Sequence, residues 1–354
     1  MKVYITGICG FVGSSIAIWL RQRDASLSIS GMDSFIRPGS ETNRLRLQKL
    51  GITVRHGDIR NPSDFEGLTA VDWVIDAAAN PSVLAGIDGA TSSRQLLEHN
   101  LVGTMNILEF CKRTKAGFIL LSTSRVYSIP ALVALPLVVK ENAFALNLLD
   151  ALPAGVSANG IQTAFSTESP ISLYGSTKLA SEILALEYAA TFSLPVWINR
   201  CGVLAGAGQF GTAEQGIFSY WVHACAQRRP LRYIGFGGSG HQVRDALHPD
   251  DLAELLYAQI TRSGATPSRR FNVGGGPDNA MSLRQLTTWC TDRFGTLTID
   301  MDQRPRPFDI PWFIMDNTSV TATFSWSPKR KLTAILEEIA NHATTTPEWT
   351  DLVR

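Results

Sequence analysis

The residues of this 354-residue chain best suited to chemistry are a tyrosine and a lysine four positions apart, Tyr174 and Lys178. On a helix, this spacing places both side chains on one face, about 6 Å apart at Cβ. An ammonium group beside a phenol favours the phenolate, which can take a proton from a hydroxyl group. The same spacing is common on ordinary helix surfaces, so the interpretation depends on the elements around it.

A cluster of hydroxyl side chains precedes this pair. The very apolar run 117–122 predicts a buried strand that ends in Ser122, Thr123 and Ser124. A hydroxyl at a strand end could hydrogen-bond the oxygen from which the tyrosine removes a proton. We expect Thr123 to fill this role, with Ser122 and Ser124 as weaker alternatives.

The first thirteen residues explain what such a proton transfer could be coupled to. Residues 2–6 (KVYIT) predict a buried strand, and Gly7, Gly10 and Gly13 follow in the spacing GxxGxxG before an apolar-periodic helix. A strand, a glycine turn and a helix in this order indicate a dinucleotide site, because backbone N–H groups at the helix N-terminus can approach a pyrophosphate. The cofactor contacts expected from this turn are Gly7, Gly10, Phe11, Val12 and Gly13. The alternative is a tight turn without a ligand.

Asp33 favours the dinucleotide interpretation. It follows the predicted strand 27–32 and lies twenty positions beyond Gly13, where a carboxylate reaches the adenosine ribose. A carboxylate there pairs with free ribose hydroxyls and repels a 2′-phosphate, which favours NAD over NADP. Arg37 is the counter-argument, since a nearby arginine can accept a 2′-phosphate.

The chain then alternates strands and helices, which predicts an α/β fold with a Rossmann-type, doubly wound parallel sheet. Strand ends along this sheet provide further candidate contacts. Asp58 and Ile59 would lie beside the adenine, or else at a solvated strand end. The small residues Ala77, Ala78 and Ala79 would let the backbone approach the cofactor, and Pro81 stops that strand.

Two parts of the chain that depart from this alternation of strands and helices define the expected domains. The segment 128–165 is poor in charge and shows no clear period, so we interpret it as an insertion that covers the site or joins subunits. From residue 201 onward the elements shorten. We therefore expect a dinucleotide-binding domain over 1–200, with returning segments near 245–275, and a smaller α/β lobe over 201–354 that binds the substrate.

Composition excludes several other classes of protein. The net charge of +1 gives no electrostatic reason to expect nucleic acid or a membrane surface as partner. No apolar run reaches the roughly 18 residues of a membrane span, and a strand rather than a leader begins the chain, so we expect a cytoplasmic protein. The five cysteines never occur in CxxC spacing and the six histidines form no ligand-spaced pair, which predicts no structural metal.

The chain resembles the extended short-chain dehydrogenase/reductase family of nucleotide-sugar epimerases and dehydratases. The likeness is carried by the glycine turn, Asn100 in NLVGTMN, Thr123 four residues before the tyrosine of Val126-Tyr127, and YxxxK. It implies that Tyr174 is the catalytic base and acid, and that Lys178 lowers the pKa of Tyr174 and bonds the nicotinamide ribose. It also implies NAD contacts at Asn100, Ser122 and Arg200, and a homodimer by analogy.

The second half is most similar to the CDP-paratose (tyvelose) 2-epimerases of this family. The similar stretches are Gln209-Phe210 with Glu214-Gln215-Gly216, residues 240–245 and residues 304–309. The resemblance implies that Arg244 and Arg306 bind the substrate diphosphate, unless they form ordinary salt bridges. It further places Pro81, Ser124, Gln209, Phe210 and Gln215 against the substrate.

The resemblance implies a CDP- or UDP-linked sugar, epimerised at C2 by preference and at C4 as the alternative. Ser124-Arg125 stands where the dehydratases carry acidic residues, so a 4,6-dehydratase is disfavoured. A net oxidoreductase that releases its cofactor and a catalytically silent NAD-binding scaffold remain the alternatives from other classes.

Overall fold

The computed structural model describes residues 1–87, 89, 92–212, 215–262 and 268–352, without the side chains of residues 350 and 352. Within these residues the strands are β1 (Lys2–Thr6), β2 (Ser28–Asp33), β3 (Thr53–His56), β4 (Trp73–Asp76), β5 (Gly117–Thr123), β6 (Leu137–Lys140), β7 (Ala143–Leu146), β8 (Val156–Ser157), β9 (Gly160–Ile161), β10 (Val196–Cys201), β11 (Val203–Leu204), β12 (Leu231–Ile234), β13 (Val243–Leu247), β14 (Arg270–Val273), β15 (Ala280–Ser282), β16 (Ile299–Asp302) and β17 (Trp312–Phe313).

The α-helices of the same residues are α1 (Phe11–Arg23), α2 (Glu41–Lys49), α3 (Ser63–Glu66), α4 (Ser93–Leu97), α5 (Gly103–Thr114), α6 (Ile129–Val133), α7 (Ser172–Phe192), α8 (Ile217–Ala226), α9 (Pro249–Thr261), α10 (Leu283–Phe294), α11 (Thr318–Phe324), α12 (Leu332–Thr345) and α13 (Trp349–Leu352). A π-helical turn, Glu98–Val102, joins α4 to α5, and short 3₁₀ turns lie at Ser124–Val126, Phe236–Gly238 and Pro277–Asn279.

Seven strands form one fully parallel sheet in the order β14-β10-β5-β4-β1-β2-β3. Its central strands β5 and β10 are buried along their whole length, whereas the edge strand β3 exposes three of its four residues. Strands covered on both faces need continuous apolar runs, which is why these segments were recognisable in the sequence. The predicted α/β class and doubly wound sheet are confirmed.

Helices cover both faces of this sheet. On one face, α1 and α9 bury Ile16, Leu20 and Leu252 with Val3 and Ile5 of β1. On the other face, α5 and α7 bury side chains such as Ile107 and Ala185 with Tyr4 of the same strand. The first cluster also contains Val320 of α11, so the chain after residue 201 returns to this layer through α9, β14 and α11.

The smaller lobe stands at the carboxyl ends of the parallel strands. It combines a four-stranded sheet of β11, β13, β15 and β17 with the parallel pair β12 and β16. Its core joins α8, α10 and α12 through residues such as Trp221, Leu286 and Ile339. No helix in the described ranges combines the length and apolar character that a membrane span requires.

The segment 128–165 contains α6 and two hairpins, β6–β7 and β8–β9. The first hairpin lies against the smaller lobe, since the N–H of Phe144 donates to the His241 carbonyl at 2.9 Å. The second meets the strand-like segment near β17, where the N–H of Ile161 donates to the Ile314 carbonyl at 2.8 Å. The segment therefore fastens the two lobes to each other on one side.

Candidate functional site

A large cavity of about 740 Å³ opens between the parallel sheet and the smaller lobe. Nearly every candidate from the sequence lines it. These residues are Gly7, Gly10, Phe11, Val12, Gly13, Asp33, Asp58, Ile59, Ala77, Ala78, Ala79, Pro81, Ser122, Thr123, Ser124, Tyr174, Lys178, Gln209, Phe210, Gln215, Arg244 and Arg306. Asn100 and Arg200 are the two that do not line the cavity. Glu214 lies outside the described residues.

The glycines of the turn after β1 allow other backbone segments to approach it closely. Gly7 has a φ of +64°, and a Cβ there would lie 2.8 Å from the Cα of Ala78, which follows the end of β4 by two residues. A Cβ on Gly13 would lie 2.2 Å from the carbonyl oxygen of Gly7, so only glycine lets α1 start against the turn. Gly10 is the N-cap of α1, and no side chain caps this end. The free N–H groups of the first helical turn therefore suit the pyrophosphate of a dinucleotide.

Asp33 lies at the end of β2, beside this turn. Its carboxylate accepts hydrogen bonds from the N–H groups of Cys9 and Phe35, each at 2.8 Å. Burial raises the pKa of Asp33, and these hydrogen bonds oppose the rise. The aspartate is thus held in place at the cavity wall, at the position expected for a ribose-binding carboxylate.

Arg37, weighed as a 2′-phosphate ligand, has other partners in the structure. Its Nη2 donates to the Phe210 carbonyl at 2.5 Å and its Nη1 to Oε1 of Gln215 at 3.1 Å. Both acceptors belong to the loop that precedes α8 in the smaller lobe. Arg37 therefore connects the part of the cavity lined by the glycine turn and Asp33, the dinucleotide half, to the loop before α8 that covers it.

Thr123, Tyr174 and Lys178 line the same cavity. Thr123 ends β5, and its hydroxyl hydrogen-bonds the phenol of Tyr174, which lies with Lys178 in the first two turns of α7. Burial raises the pKa of Tyr174 to about 12 and lowers the pKa of Lys178. The Thr123 hydroxyl and the charge of Arg125 oppose this rise, and the lowering of the Tyr174 pKa by Lys178 stays a prediction.

Arg200 is a structural residue rather than a cofactor contact. Its guanidinium is fully buried and donates to the Glu182 carboxylate, with Nη2 2.7 Å from Oε2. The hydroxyl of Ser122 donates to the other carboxylate oxygen at 2.6 Å. Arg200 therefore does not reach the cavity to contact NAD as expected, because its side chain is buried behind Ser122, which lines the cavity.

Asn100 also acts through another segment. It lies in the π-helical turn, where its side-chain amide donates to the Asn80 carbonyl at 2.9 Å and accepts from the Asn80 N–H at 2.8 Å. The same amide donates to Oγ1 of Thr177 at 3.2 Å. Asn100 thus fixes Asn80 against Thr177 of α7. Its own side chain does not line the cavity, in contrast to the expected NAD contact.

Arginines line the end of the cavity that belongs to the smaller lobe. Arg244 on β13 donates to the carbonyls of Val243 and Ile310, each at 2.8 Å, and lies 3.4 Å from a carboxylate oxygen of Asp309. Burial lowers the pKa of Arg244 to about 10, and the charge of Arg125 lowers it further. Guanidinium groups in such a wall can bind diphosphate oxygens bidentately.

A sequence model of the NAD dependent epimerase/dehydratase family matches residues 3–274. The chain belongs to this family. Among curated proteins, it is 28% identical to a CDP-paratose 2-epimerase of Salmonella typhi over 93% of this chain and 95% of that protein. It is 27% identical to a dTDP-glucose 4,6-dehydratase of Streptomyces antibioticus over 83% of this chain and 78% of that protein.

Among solved structures, the fold is similar to a UDP-glucuronic acid 4-epimerase of Bacillus cereus solved with UDP-glucuronic acid and NAD. The TM-score is 0.77 at 22% identity, and the match covers 98% of this chain and 99% of the other. This likeness supports the two-lobed fold.

Membership of the NAD dependent epimerase/dehydratase family confirms the resemblance, the enzyme class and the predicted use of NAD. The residues around the glycine turn fit this cofactor, because an uncapped helix N-terminus, a close backbone approach and a carboxylate lie along one wall. Within the described ranges, no three His, Cys, Asp or Glu side chains converge as metal ligands.

Many residues that line the cavity had no role predicted from the sequence, and Arg125, Tyr220 and Trp221 are among them. Arg125 was noted only as a departure from the dehydratases, and Tyr220 and Trp221 of α8 were not considered. The position of Arg125, two residues after Thr123, places it near the expected site but does not show what its side chain contacts. Nothing local in the sequence marks Tyr220 or Trp221, because they reach the cavity through the packing of the smaller lobe.

Proposed function

We propose that this enzyme epimerises a nucleotide-linked sugar through a transient keto sugar. The observation that carries the proposal is the convergence of Thr123, Tyr174 and Lys178 on one cavity, between the glycine turn and the arginine-lined end. A dinucleotide along the first wall would place its reactive ring near Tyr174. A nucleotide diphosphate at the second wall would place its sugar there as well.

Each catalytic side chain has a defined task in this proposal. NAD, when bound, accepts a hydride from the sugar carbon and later returns it. The phenolate of Tyr174 removes the proton of the hydroxyl on that carbon, while the Thr123 hydroxyl hydrogen-bonds the reacting oxygen. Lys178 holds the ribose of the cofactor and adds positive charge beside the phenol. After the keto sugar turns over, Tyr174 returns the proton and the opposite epimer forms.

Burial favours protonated Tyr174 in the protein alone, since it raises the pKa to about 12. The positive charge of the oxidised cofactor would favour the phenolate, so ionisation of Tyr174 is coupled to cofactor binding. The closed redox cycle separately predicts that NAD stays bound throughout, because the same molecule must return the hydride.

For the substrate, we propose a CDP-linked sugar inverted at C2, with a UDP-linked sugar inverted at C4 as the alternative. The first is supported by the likeness to the CDP-paratose 2-epimerase, which extends over almost the whole of both chains. The second is supported by the fold shared with the UDP-glucuronic acid 4-epimerase. Arg125 stands where a dehydratase would need an acidic group, which disfavours elimination of water.

The first test is to denature the purified protein and to identify what dissociates by mass spectrometry and absorbance. We expect nearly one NAD or NADH per chain. The protein is then incubated with CDP- and UDP-sugars, and the products are followed by NMR. Net consumption of added NADH with a keto substrate would contradict the closed redox cycle and indicate an oxidoreductase.

Tyr174→Phe tests the assigned base. We expect turnover to fall by about 10²- to 10⁴-fold while NAD remains bound, because one proton-transferring hydroxyl is removed and the cavity keeps its shape. Tyr188→Phe is the matched control, since Tyr188 hydrogen-bonds Glu109 far from the cavity. Full activity in Tyr174→Phe would exclude the proposed mechanism and leave the scaffold alternative.

We also propose a homodimer formed through α5 and α7. These helices are neighbours, joined by the hydrogen bond between Tyr188 and Glu109, and they present the exposed apolar side chains of Met105, Ile183 and Phe192. Of these three side chains, Ile183 is the most exposed, at 56%. Light scattering after gel filtration should give twice the chain mass for the wild type and the monomer mass for Ile183→Glu.

A further inference from the structure

Arg125 brings a guanidinium group to the reacting end of the cavity. Its backbone N–H donates to Oγ1 of Thr123 at 3.1 Å within the 3₁₀ turn Ser124–Val126, and its side chain lines the cavity with Tyr174. From the other side, a Cβ on Gly175 would lie 2.2 Å from the Arg125 carbonyl oxygen, so α7 packs directly on this backbone. The elements that position Thr123 and Tyr174 therefore position Arg125 too.

The guanidinium of Arg125 has donors to spare. An arginine carries five N–H donors in a planar fork. Within the described residues, its one hydrogen bond is from Nη1 to the Phe308 carbonyl at 3.1 Å. The remaining donors lie at the cavity wall, where a ligand oxygen can reach them. A largely buried cation with unused donors is costly unless a ligand supplies the acceptors.

The charges around Arg125 favour a negative ligand. Burial lowers the pKa of Arg125, the charge of Arg306 lowers it further, and Asp309 opposes both. Arg244 experiences the same arrangement, with Arg125 as its strongest charged neighbour. Asp309 is the carboxylate that faces both of these arginines. A bound anion would relieve the repulsion between them and favour their charged forms.

We propose that Arg125 is the specificity-determining residue for the sugar end of the substrate and binds an anionic oxygen beside the reacting carbon. Arg244 and Arg306 lie on the smaller lobe and suit the diphosphate, whereas Arg125 lies in the 3₁₀ turn that directly follows Thr123. The anionic oxygen belongs either to a carboxylate on the sugar or to the phosphate nearest the sugar. The proposal rests on the proposed function, because it assumes a nucleotide sugar in this cavity.

Calorimetric binding titrations of the NAD-loaded protein test this proposal without turnover. The probes are CDP, UDP, CDP-glucose, UDP-glucose and UDP-glucuronate, and the proteins are the wild type, Arg125→Met and Arg125→Lys. Loss of the fork should weaken binding by about 10- to 100-fold, the range for hydrogen bonds to a charged group. Loss confined to UDP-glucuronate identifies a carboxylate, and equal loss for all probes identifies the phosphate.

Arg304→Met is the matched control, because Arg304 lies in the same loop as Arg306 with 81% of its side chain exposed. Retained NAD and an unchanged melting temperature show that each variant is folded. If Arg125→Met does not fold, Arg125→Lys decides, since it keeps the charge and loses the planar fork. Affinities within about twofold of the wild type for every probe would overturn the proposal. A wild type that binds none of the probes would instead contradict the proposed function.

Discussion

Glu182 and Arg200 form an ion pair that is completely enclosed between α7 and β10. Nη2 of Arg200 lies 2.7 Å from Oε2 of Glu182, and the two side chains are 0% and 1% exposed. The Ser122 hydroxyl shares the carboxylate, and the guanidinium lies 4.9 Å from the centre of the Tyr127 ring. This pair supports the end of β5 that carries Thr123.

Arg200→Met should destabilise the fold severely, because it leaves the Glu182 carboxylate buried without its main partner. We expect the free energy of unfolding to fall by about 3–5 kcal/mol, the usual cost of breaking one side of a buried ion pair. Urea denaturation followed by tryptophan fluorescence measures the loss.

The control for this prediction is Arg94→Met, which breaks the exposed pair between Arg94 and Glu98. The side chain of Arg94 is 88% exposed, so its loss should change stability by no more than about 0.5 kcal/mol. Equal effects of the two substitutions would show that the buried pair contributes no more than a surface pair.

Asp33 should decide between NAD and NADP. Asp33→Asn removes the negative charge that we expect to face the ribose, so discrimination against a 2′-phosphate should fall by about tenfold or more, since juxtaposed like charges cost several kcal/mol. Titration of nucleotide-stripped protein with NAD and NADP gives the ratio of dissociation constants.

Asp278→Asn is the control for that change of charge, because its side chain is 81% exposed on the smaller lobe. This variant should keep the wild-type ratio. An unchanged ratio in Asp33→Asn would mean that the ribose lies elsewhere, and that the buried carboxylate only fixes the N–H groups of Cys9 and Phe35.

The parallel sheet and the glycine turn could be predicted because their causes are local. Buried strands need continuous apolar runs, and Gly7 and Gly13 occupy positions where a Cβ would collide with backbone. The start of the helical segment near Asn100 was missed. A capping box of Ser92 and Gln95 begins that segment at α4, upstream of the π-helical turn that holds Asn100.

The roles of Arg200 and Arg125 could not be derived from local patterns. The partner of Arg200 is Glu182 on α7, and a buried ion pair leaves no periodic signal in the sequence. Arg125 reaches Phe308 across 183 positions of sequence. The hairpins within 128–165 were also missed, because β6 and β7 are short and lie against the smaller lobe without a clear alternation.

Arg37 should control how long NAD stays bound. Arg37→Met removes the hydrogen bonds to Phe210 and Gln215 that hold the covering loop against the dinucleotide half. We expect NAD to dissociate about 10- to 100-fold faster, as for other lost hydrogen bonds to charged groups, and less NAD to copurify. Stopped-flow displacement of NAD measures the rate.

Arg46→Met tests whether any lost positive charge would have this effect, since Arg46 is exposed on the neighbouring helix α2. Its dissociation rate should match the wild type. Equal rates in all three proteins would indicate that the loop stays closed without Arg37. In that case the stacking of Phe210 on Trp349, with ring centres 5.3 Å apart, would be sufficient.

The pair His223 and His342 should make the enzyme sensitive to acid. Burial lowers the pKa of His223 to about 4, and its Nε2 lies 3.2 Å from Nδ1 of His342. In the unfolded chain a histidine binds its proton near pH 6.5. Between these values the unfolded state holds more protons, so the free energy of unfolding falls as the pH falls from about 6.5 to about 4. The loss attributable to His223 is about 3 kcal/mol.

Urea denaturation of the wild type and His223→Gln between pH 7.5 and 4.5 checks this sign. The variant should lose less stability over that range, whereas His56→Gln, which alters an exposed histidine, should follow the wild type. Parallel curves for wild type and His223→Gln would contradict the prediction. Because His342 also contacts Trp349, which stacks on Phe210, acid should loosen the covering loop in the wild type. Since folded His223 takes up its proton only near pH 4, NAD release should accelerate as the pH approaches 4, and more in the wild type than in His223→Gln.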